Sequence, residues 1–97
     1  MGYTLSRAAE QDIIALYVDG VKKFGNAQAE KYFAKLEDAF ALLAEFPGLA
    51  YEREEFTPPV RIHPCGEHVI IYRVDEAENI FIIRVRHGRE DWIKHPV

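Results

Sequence analysis

The 97 residues suit one domain, and an apolar share of 48% is enough for a core, although a chain this short is expected to be modestly stable. No apolar run approaches the roughly 18 residues of a membrane span, the segment from Met1 to Arg7 lacks the apolar stretch of a secretory leader, and the single cysteine, Cys65, cannot form an internal disulfide. A cytoplasmic protein with a buried thiol is expected. The formal charge of −4 is uneven: residues 1–58 carry six Lys/Arg against ten Asp/Glu, and residues 59–97 carry six against six. Nucleic-acid affinity rests largely on Lys and Arg neutralising phosphates, so contact with nucleic acid is expected only indirectly, through a partner or target.

In chain order, residues 2–5 alternate loosely and lead to Ser6, a good helix N-cap. Ile13, Leu16, Tyr17, Val21 and Phe24 then fall on one face of a helix. Gly25 supplies a stop and Asn26 the next cap. A second helix shows Ala29, Phe33, Leu36, Phe40 and Leu43 on one stripe and ends at Phe46-Pro47-Gly48, where proline cannot continue it. So short a turn between the helices makes an antiparallel hairpin. Tyr51 to Pro59 reads as an irregular, acidic connector. Three β-rich runs come next, Val60–Pro64, His68–Val74 and Asn79–His87, joined by links short enough for hairpins. The expectation is a single α+β domain over residues 1–97, β-α-α-β-β-β, with an antiparallel sheet on a helical hairpin and a short C-terminal tail.

Several local sequences in this order resemble the ParE branch of the ParE/RelE toxin superfamily. They are Leu5-Ser6-Arg7-Ala8-Ala9-Glu10-Gln11-Asp12-Ile13, Ala44-Glu45-Phe46-Pro47-Gly48-Leu49, Gly66-Glu67-His68-Val69-Ile70-Ile71-Tyr72-Arg73-Val74, and Ile83-Arg84-Val85-Arg86-His87-Gly88-Arg89-Glu90-Asp91-Trp92. The resemblance spans nearly the whole chain. It implies a toxin held inactive by a ParD-like antitoxin with a ribbon-helix-helix domain. It also implies that the free toxin traps DNA gyrase by binding, without a catalytic residue.

On the last strand, strict alternation would turn Phe81, Ile83 and Val85 toward the helices and Ile80, Ile82, Arg84 and Arg86 to the open face, near Arg73. Such an arginine cluster suits carboxylates or phosphates, because guanidinium groups bind them bidentately; it would equally solvate the face and pair with Glu67 or Glu78. Beyond it, Gly88 allows a sharp exit from the strand, and His87, Arg89, Asp91 and Trp92 either fix the tail to the body or contact the target, since Arg and Trp often dominate interfaces. On the hairpin, Ile14, Tyr17, Tyr32, Leu36 and Leu42 either widen the buried stripe or line a groove for an amphipathic antitoxin helix; the sheet edge is equally open to an added antitoxin strand.

RelE-type relatives cleave messenger RNA on the ribosome, which needs several basic groups and a poised acid or base. The corresponding region here offers Arg61 and His63 without lysines, and all five tyrosines lie at or before Tyr72. His63, His68, His87 and His95 remain as acid–base groups for that alternative. A non-toxic partner-binding or co-repressor module of the same fold is the third reading. No cofactor is expected, and no metal, because the histidines lack ligand-like spacing with Cys65 or the carboxylates.

Overall fold

Ser6 decides where the first helix begins. Its side chain accepts a hydrogen bond from the Ala9 N–H at 2.9 Å and donates one to the Ile83 carbonyl at 2.6 Å, while its own N–H reaches the Ile82 carbonyl. One residue therefore caps a helix and ties it to the last strand. In the computed structural model, which describes residues 2–89 and 93, a three-residue strand β1 (Tyr3–Leu5) precedes α1 (Arg7–Phe24). Lys22 and Lys23 in the last turn of α1 face the carbonyl pole, which favours cations. Gly25, at φ +87°, closes α1 and opens α2 (Asn26–Glu45). Asn26, expected as the cap of α2, is instead its first residue, and no side chain caps that end.

The helices form the expected antiparallel hairpin. Tyr17 packs edge-on against Phe33, with ring centroids 6.1 Å apart, and Gly20 faces Ala29. A single 3-10 turn, Pro47–Leu49, succeeds α2. Next come β2 (Glu52–Arg53), inside the segment read as an irregular connector, and then β3 (Val60–Cys65), β4 (His68–Val74) and β5 (Ile80–His87). Cys65 pairs with His68 across a two-residue turn in which Gly66 takes φ +60°. A Cβ there would also sit 2.7 Å from the Tyr32 hydroxyl, so glycine is required twice over. The Asp75 carboxylate accepts from the N–H groups of Ala77 and Asn79, both at 2.9 Å, and holds the β4–β5 turn.

The sheet order is β1-β5-β4-β3-β2. It is mixed rather than wholly antiparallel, because β1 lies parallel to β5. The chain leaves β1 through the hairpin and returns through β3 and β4, which brings β5 back alongside β1 in the same direction.

A second correction concerns β5. Ile71 pairs with Arg84 but Tyr72 pairs with Ile82, so Ile83 is an extra residue, a β-bulge that shifts the phase of alternation. Before the bulge Ile80 and Ile82 face the helices; after it Val85 does. Phe81 is 42% exposed, and Ile83 packs on the opposite face with Phe56, Val60 and Ile71. That opposite face therefore carries a second apolar layer around Phe56. The register sets Arg84 and Arg86 on it, opposite Ile71 and Val69, with Arg73 opposite Phe81, so the expected arginines do share the face turned away from the helices. The main core joins Ala9, Ile13, Leu36, Phe40 and Leu43 of the helices to Ile70, Tyr72, Ile80, Ile82 and Val85 of the sheet. Phe24, on the expected stripe of α1, is 68% exposed.

Tyr72 is fully buried, and its hydroxyl donates to the Pro47 carbonyl and accepts from the Ala50 N–H. Burial pushes its pKa above the usual 10.0, partly offset by the Ala50 bond, and burial raises the Cys65 thiol above 9.0. Groups with raised folded-state values contribute stability that is complete below their unfolded values and lost as pH rises through the folded ones. The urea midpoint should thus hold from neutrality to about pH 9 and fall above it. Tyr72→Phe should cost about 1–2 kcal/mol at neutral pH and make the alkaline fall shallower; an equally steep fall in that variant would refute the assignment.

Candidate functional site

Strand β1 is too short to cover β5. It pairs with Ile80, Phe81 and Ile82, and beyond them β5 would present a bare edge. Helix α1 takes over that edge. The Ser6 hydroxyl satisfies the Ile83 carbonyl, and Asp12, further into the helix, satisfies the Val85 N–H. Asp12 Oδ2 accepts from that N–H at 3.1 Å and from Arg84 Nε at 2.6 Å, while Oδ1 accepts from Arg84 Nη2 at 2.8 Å. This is a two-pronged carboxylate–guanidinium pair with both side chains largely shielded. Arg84 thus pairs with Asp12 rather than with Glu67 or Glu78.

The other expected arginines do not join it through the described contacts. Arg73 Nε donates to the Pro59 carbonyl at 3.3 Å, on the β3 side of β4, whereas Asp12 draws Arg84 to the β1 side of β5. Arg86 lies opposite Val69 in the register, and Arg89 is exposed in the turn after β5. Asp91 and Trp92, both expected in the site, lie outside the described residues, as does His95.

A second assembly joins residues that are far apart in the sequence. The Tyr32 hydroxyl of α2 lies 2.6 Å from His68 Nδ1, accepts from the Glu67 N–H at 3.1 Å and donates to the Cys65 carbonyl at 3.2 Å. Burial raises its pKa, with the Glu67 bond acting in the opposite direction. His68 meets the His87 ring edge-on at 5.2 Å, and His87 Nδ1 accepts from the Arg89 N–H. These side chains border a cavity of about 310 Å³, whose helical wall includes Leu16, Gly20, Phe24 and Ala29. Tyr32 therefore anchors the hairpin to the β3–β4 turn while also lining that cavity.

Of the other groove candidates, Leu36 is fully buried in the main core and is placed for packing, not for binding. Tyr17 is half-buried against Phe33. Ile14 (62% exposed) and Leu42 (40%) face outward, and Val18, one turn from Ile14, is 46% exposed. Sequence reasoning passed over Val18, whose signal was its i, i+4 spacing from Ile14, and Asp12, which nothing local distinguishes from other surface acids. Among the described residues, no cluster of three or more His, Cys, Asp or Glu side chains is arranged to hold a metal ion, and no helix is long and apolar enough to cross a membrane.

Residues 3–92 match the model of the family described as "ParE toxin of type II toxin-antitoxin system, parDE". The chain belongs to the ParE toxin family. Similar relatives include Toxin ParE1 of Caulobacter vibrioides, 33% identical over 85 residues, covering 88% of this chain and 86% of that one. Toxin ParE1 of Mycobacterium tuberculosis is 32% identical over 89 residues, covering 92% and 91%. Toxin ParE of Escherichia coli is 29% identical over 89 residues, covering 92% and 86%. The fold is shared with a chain described as "Chromosomal ParDE TA system from P. aeruginosa", with a TM-score of 0.76 over 90% of this chain and 95% of that one, at 22% identity. The protein is thus the toxin of a ParDE-type toxin–antitoxin system, and the stretch that resembled the family at its opening contains both Ser6 and Asp12.

In this ParE-family chain, Asp12→Ala leaves the Arg84 guanidinium and the Val85 N–H without their shared acceptor. The expected loss is about 2 kcal/mol, below that of a fully buried pair because both groups keep some solvent. Asp12→Asn, which retains an acceptor oxygen, should lose about half as much. Urea denaturation of the three proteins checks this, and a change under about 0.5 kcal/mol for the alanine variant would show that the clamp does not hold α1 to β5.

Proposed function

We propose that this toxin acts as a single cytoplasmic domain that works by binding, is neutralised by a ParD-like ribbon-helix-helix antitoxin, and poisons DNA gyrase when free. The observation that carries the antitoxin half is the outer face of α1, where Ile14 and Val18 stand exposed one helical turn apart. Apolar side chains at i and i+4 are what an amphipathic helix engages with its own i, i+3, i+4 anchors. Tyr17 lies between them and offers the outer edge of a half-buried ring. The solved neighbour, described as a ParDE system, supports a partner of the ParD kind.

The gyrase half rests on membership of the family and on the basic stretch after the bulge. Arg86, His87 and Arg89 occupy the end of β5 and its exit turn, which Asp12 and Arg84 fix to α1. A rigid basic edge suits contact with a protein–DNA complex better than the acidic helical half does. The ribonuclease reading draws less support. Arg61 donates to the Ala50 carbonyl at 2.6 Å, a bond that holds the segment after α2 and leaves this arginine poorly placed for a phosphate.

Induced expression of the chain without antitoxin should arrest growth with a DNA-damage response and intact messenger RNA. Rapid messenger RNA cleavage would replace this reading with the ribonuclease, and normal growth would leave a non-toxic binding module. Ile14→Asp should keep the toxicity but weaken antitoxin capture by at least roughly tenfold, since a buried carboxylate without a partner is costly. Undiminished capture would move the antitoxin off α1.

A further inference from the structure

The two helices end in opposite electrostatic ways. α1 finishes with Lys22 and Lys23 at its carbonyl pole; α2 has no basic residue in its last turn and carries Glu45 there. Carboxylates at a helix C-terminus are unfavourable, so Glu45 breaks a local rule that α1 obeys. Spacing along α2 places Asp38, Leu42, Glu45 and Phe46 on one face, at i, i+4, i+7 and i+8. Beyond it, in and just after the 3-10 turn, come two further apolar residues, Leu49 and Tyr51. Leu42, Phe46, Leu49 and Tyr51 are 40%, 52%, 51% and 73% exposed, and none belongs to either buried cluster.

Acidic residues are interspersed with these apolar ones along the chain. Between Lys35 and Arg61 the chain has Glu37, Asp38, Glu45, Glu52, Glu54 and Glu55, with Arg53 as the one basic residue inside those bounds; Arg61 itself stands opposite Glu52 and donates to the Ala50 carbonyl. Arg53 is already engaged: its Nε lies 2.7 Å from Glu55 Oε2, and its guanidinium stacks over the rings of Tyr51 and Phe56. Exposed apolar residues, an excess of carboxylates and a helix end without a basic residue thus fall in one short stretch of the chain, Asp38 to Glu55. Each favours the same complement. An anionic membrane would be repelled, and a neutral partner would leave Glu45 at its unfavourable position.

We propose that the C-terminal half of α2 and the turn after it form a second docking face, for a lysine- or arginine-rich amphipathic segment of a partner protein. Its apolar residues would cover Leu42, Phe46 and Leu49, and its cations would meet Asp38, Glu45 and the helix pole. This assigns Leu42 to a face separate from Ile14 and Val18, which lie on the other helix. Partner exchange at one face therefore need not track occupancy of the other.

The test uses the full chain and two labelled synthetic amphipathic helices with the same leucine spacing, one flanked by arginines and one by glutamates. Fluorescence anisotropy should show the arginine peptide binding at least roughly tenfold more tightly at low salt, with the preference shrinking at high salt. Phe46→Ser should abolish binding. Glu45→Lys should weaken it roughly tenfold while raising the urea midpoint of the free protein, because lysine suits that helix pole. Ile14→Asp should leave it unchanged, so failure here is distinct from failure of the antitoxin reading. Equal affinity for the two peptides, or binding indifferent to Phe46→Ser and Glu45→Lys, overturns the proposal. So does concentration-dependent dimerisation that Phe46→Ser abolishes, which would make a second copy of the chain the occupant.

Discussion

The fold depends on how α1 replaces a missing strand. Three residues of β1 satisfy one edge of β5 as far as Ile82, and there the ladder runs out. A sheet edge left open carries unpaired backbone groups and a risk of pairing with other chains. Here the next carbonyl, that of Ile83, goes to the Ser6 hydroxyl, and the Val85 N–H goes to Asp12. The helix thus continues the work of the strand from which it springs. Because the same Asp12 carboxylate grips Arg84 with both oxygens, the axial position and rotation of α1 are set by polar contacts as well as by burial. No buried side-chain nitrogen or oxygen among the described residues is left without a partner.

The bulge at Ile83 belongs to the same arrangement. Simple alternation cannot hold through Ile80–His87, because Ile82 and Val85, three residues apart, both face the helices while Ile83 packs on the connector side. One extra residue changes the phase and adds local twist. It also keeps Arg84 out of the helix-side core, where unbroken alternation after Ile80 and Ile82 would put it, and sets it opposite Ile71, from where its side chain reaches Asp12. The result is a three-layer section through the molecule: helices, sheet, and a thin cover built around Phe56. A chain of this length gains from the second layer, because a single face of so small a sheet buries little apolar area.

Which parts of this were legible in the residues themselves divides along physical lines. Features encoded by local rules could be read directly. Ser6 before an apolar helical stripe, Gly25 and Pro47 as stops, and Gly66 between two β-rich runs each act through their own backbone preferences. The element order came from them. The bulge could not be read, because Ile80 to Val85 is almost uniformly apolar and either phase of alternation satisfies the pattern. Leu36 lies on the apolar stripe of α2 and is buried, while Leu42 lies off it and is 40% exposed, so the helical period already separated the two. Asp12 is one of ten acids in the first 58 residues, and its role comes from a partner 72 positions away. The union of Tyr32, His68 and His87 was hidden for the same reason: α2, β4 and β5 meet only in three dimensions.

The exposed apolar residues obey the same logic as the sealed edge. Ile14, Val18, Leu42, Phe46, Leu49 and Tyr51 hold apolar area that neither core uses. In a chain whose buried helix residues include Ala9, Ala29, Ala39 and Ala44, that area is not surplus left over from an overfilled interior. It has been withheld from folding. Apolar surface kept in water contributes nothing to the free chain's stability, but it contributes when a partner covers it, and binding to the native state then adds to stability by mass action. Small helix-facing alanines, large outward-facing aromatics and leucines, and a sheet edge sealed by Asp12 against indiscriminate strand pairing are consistent with one another. They leave the largest exposed apolar side chains of the described residues mostly on the helices and the turn after them, while the part of β5 beyond β1 is closed to strand pairing.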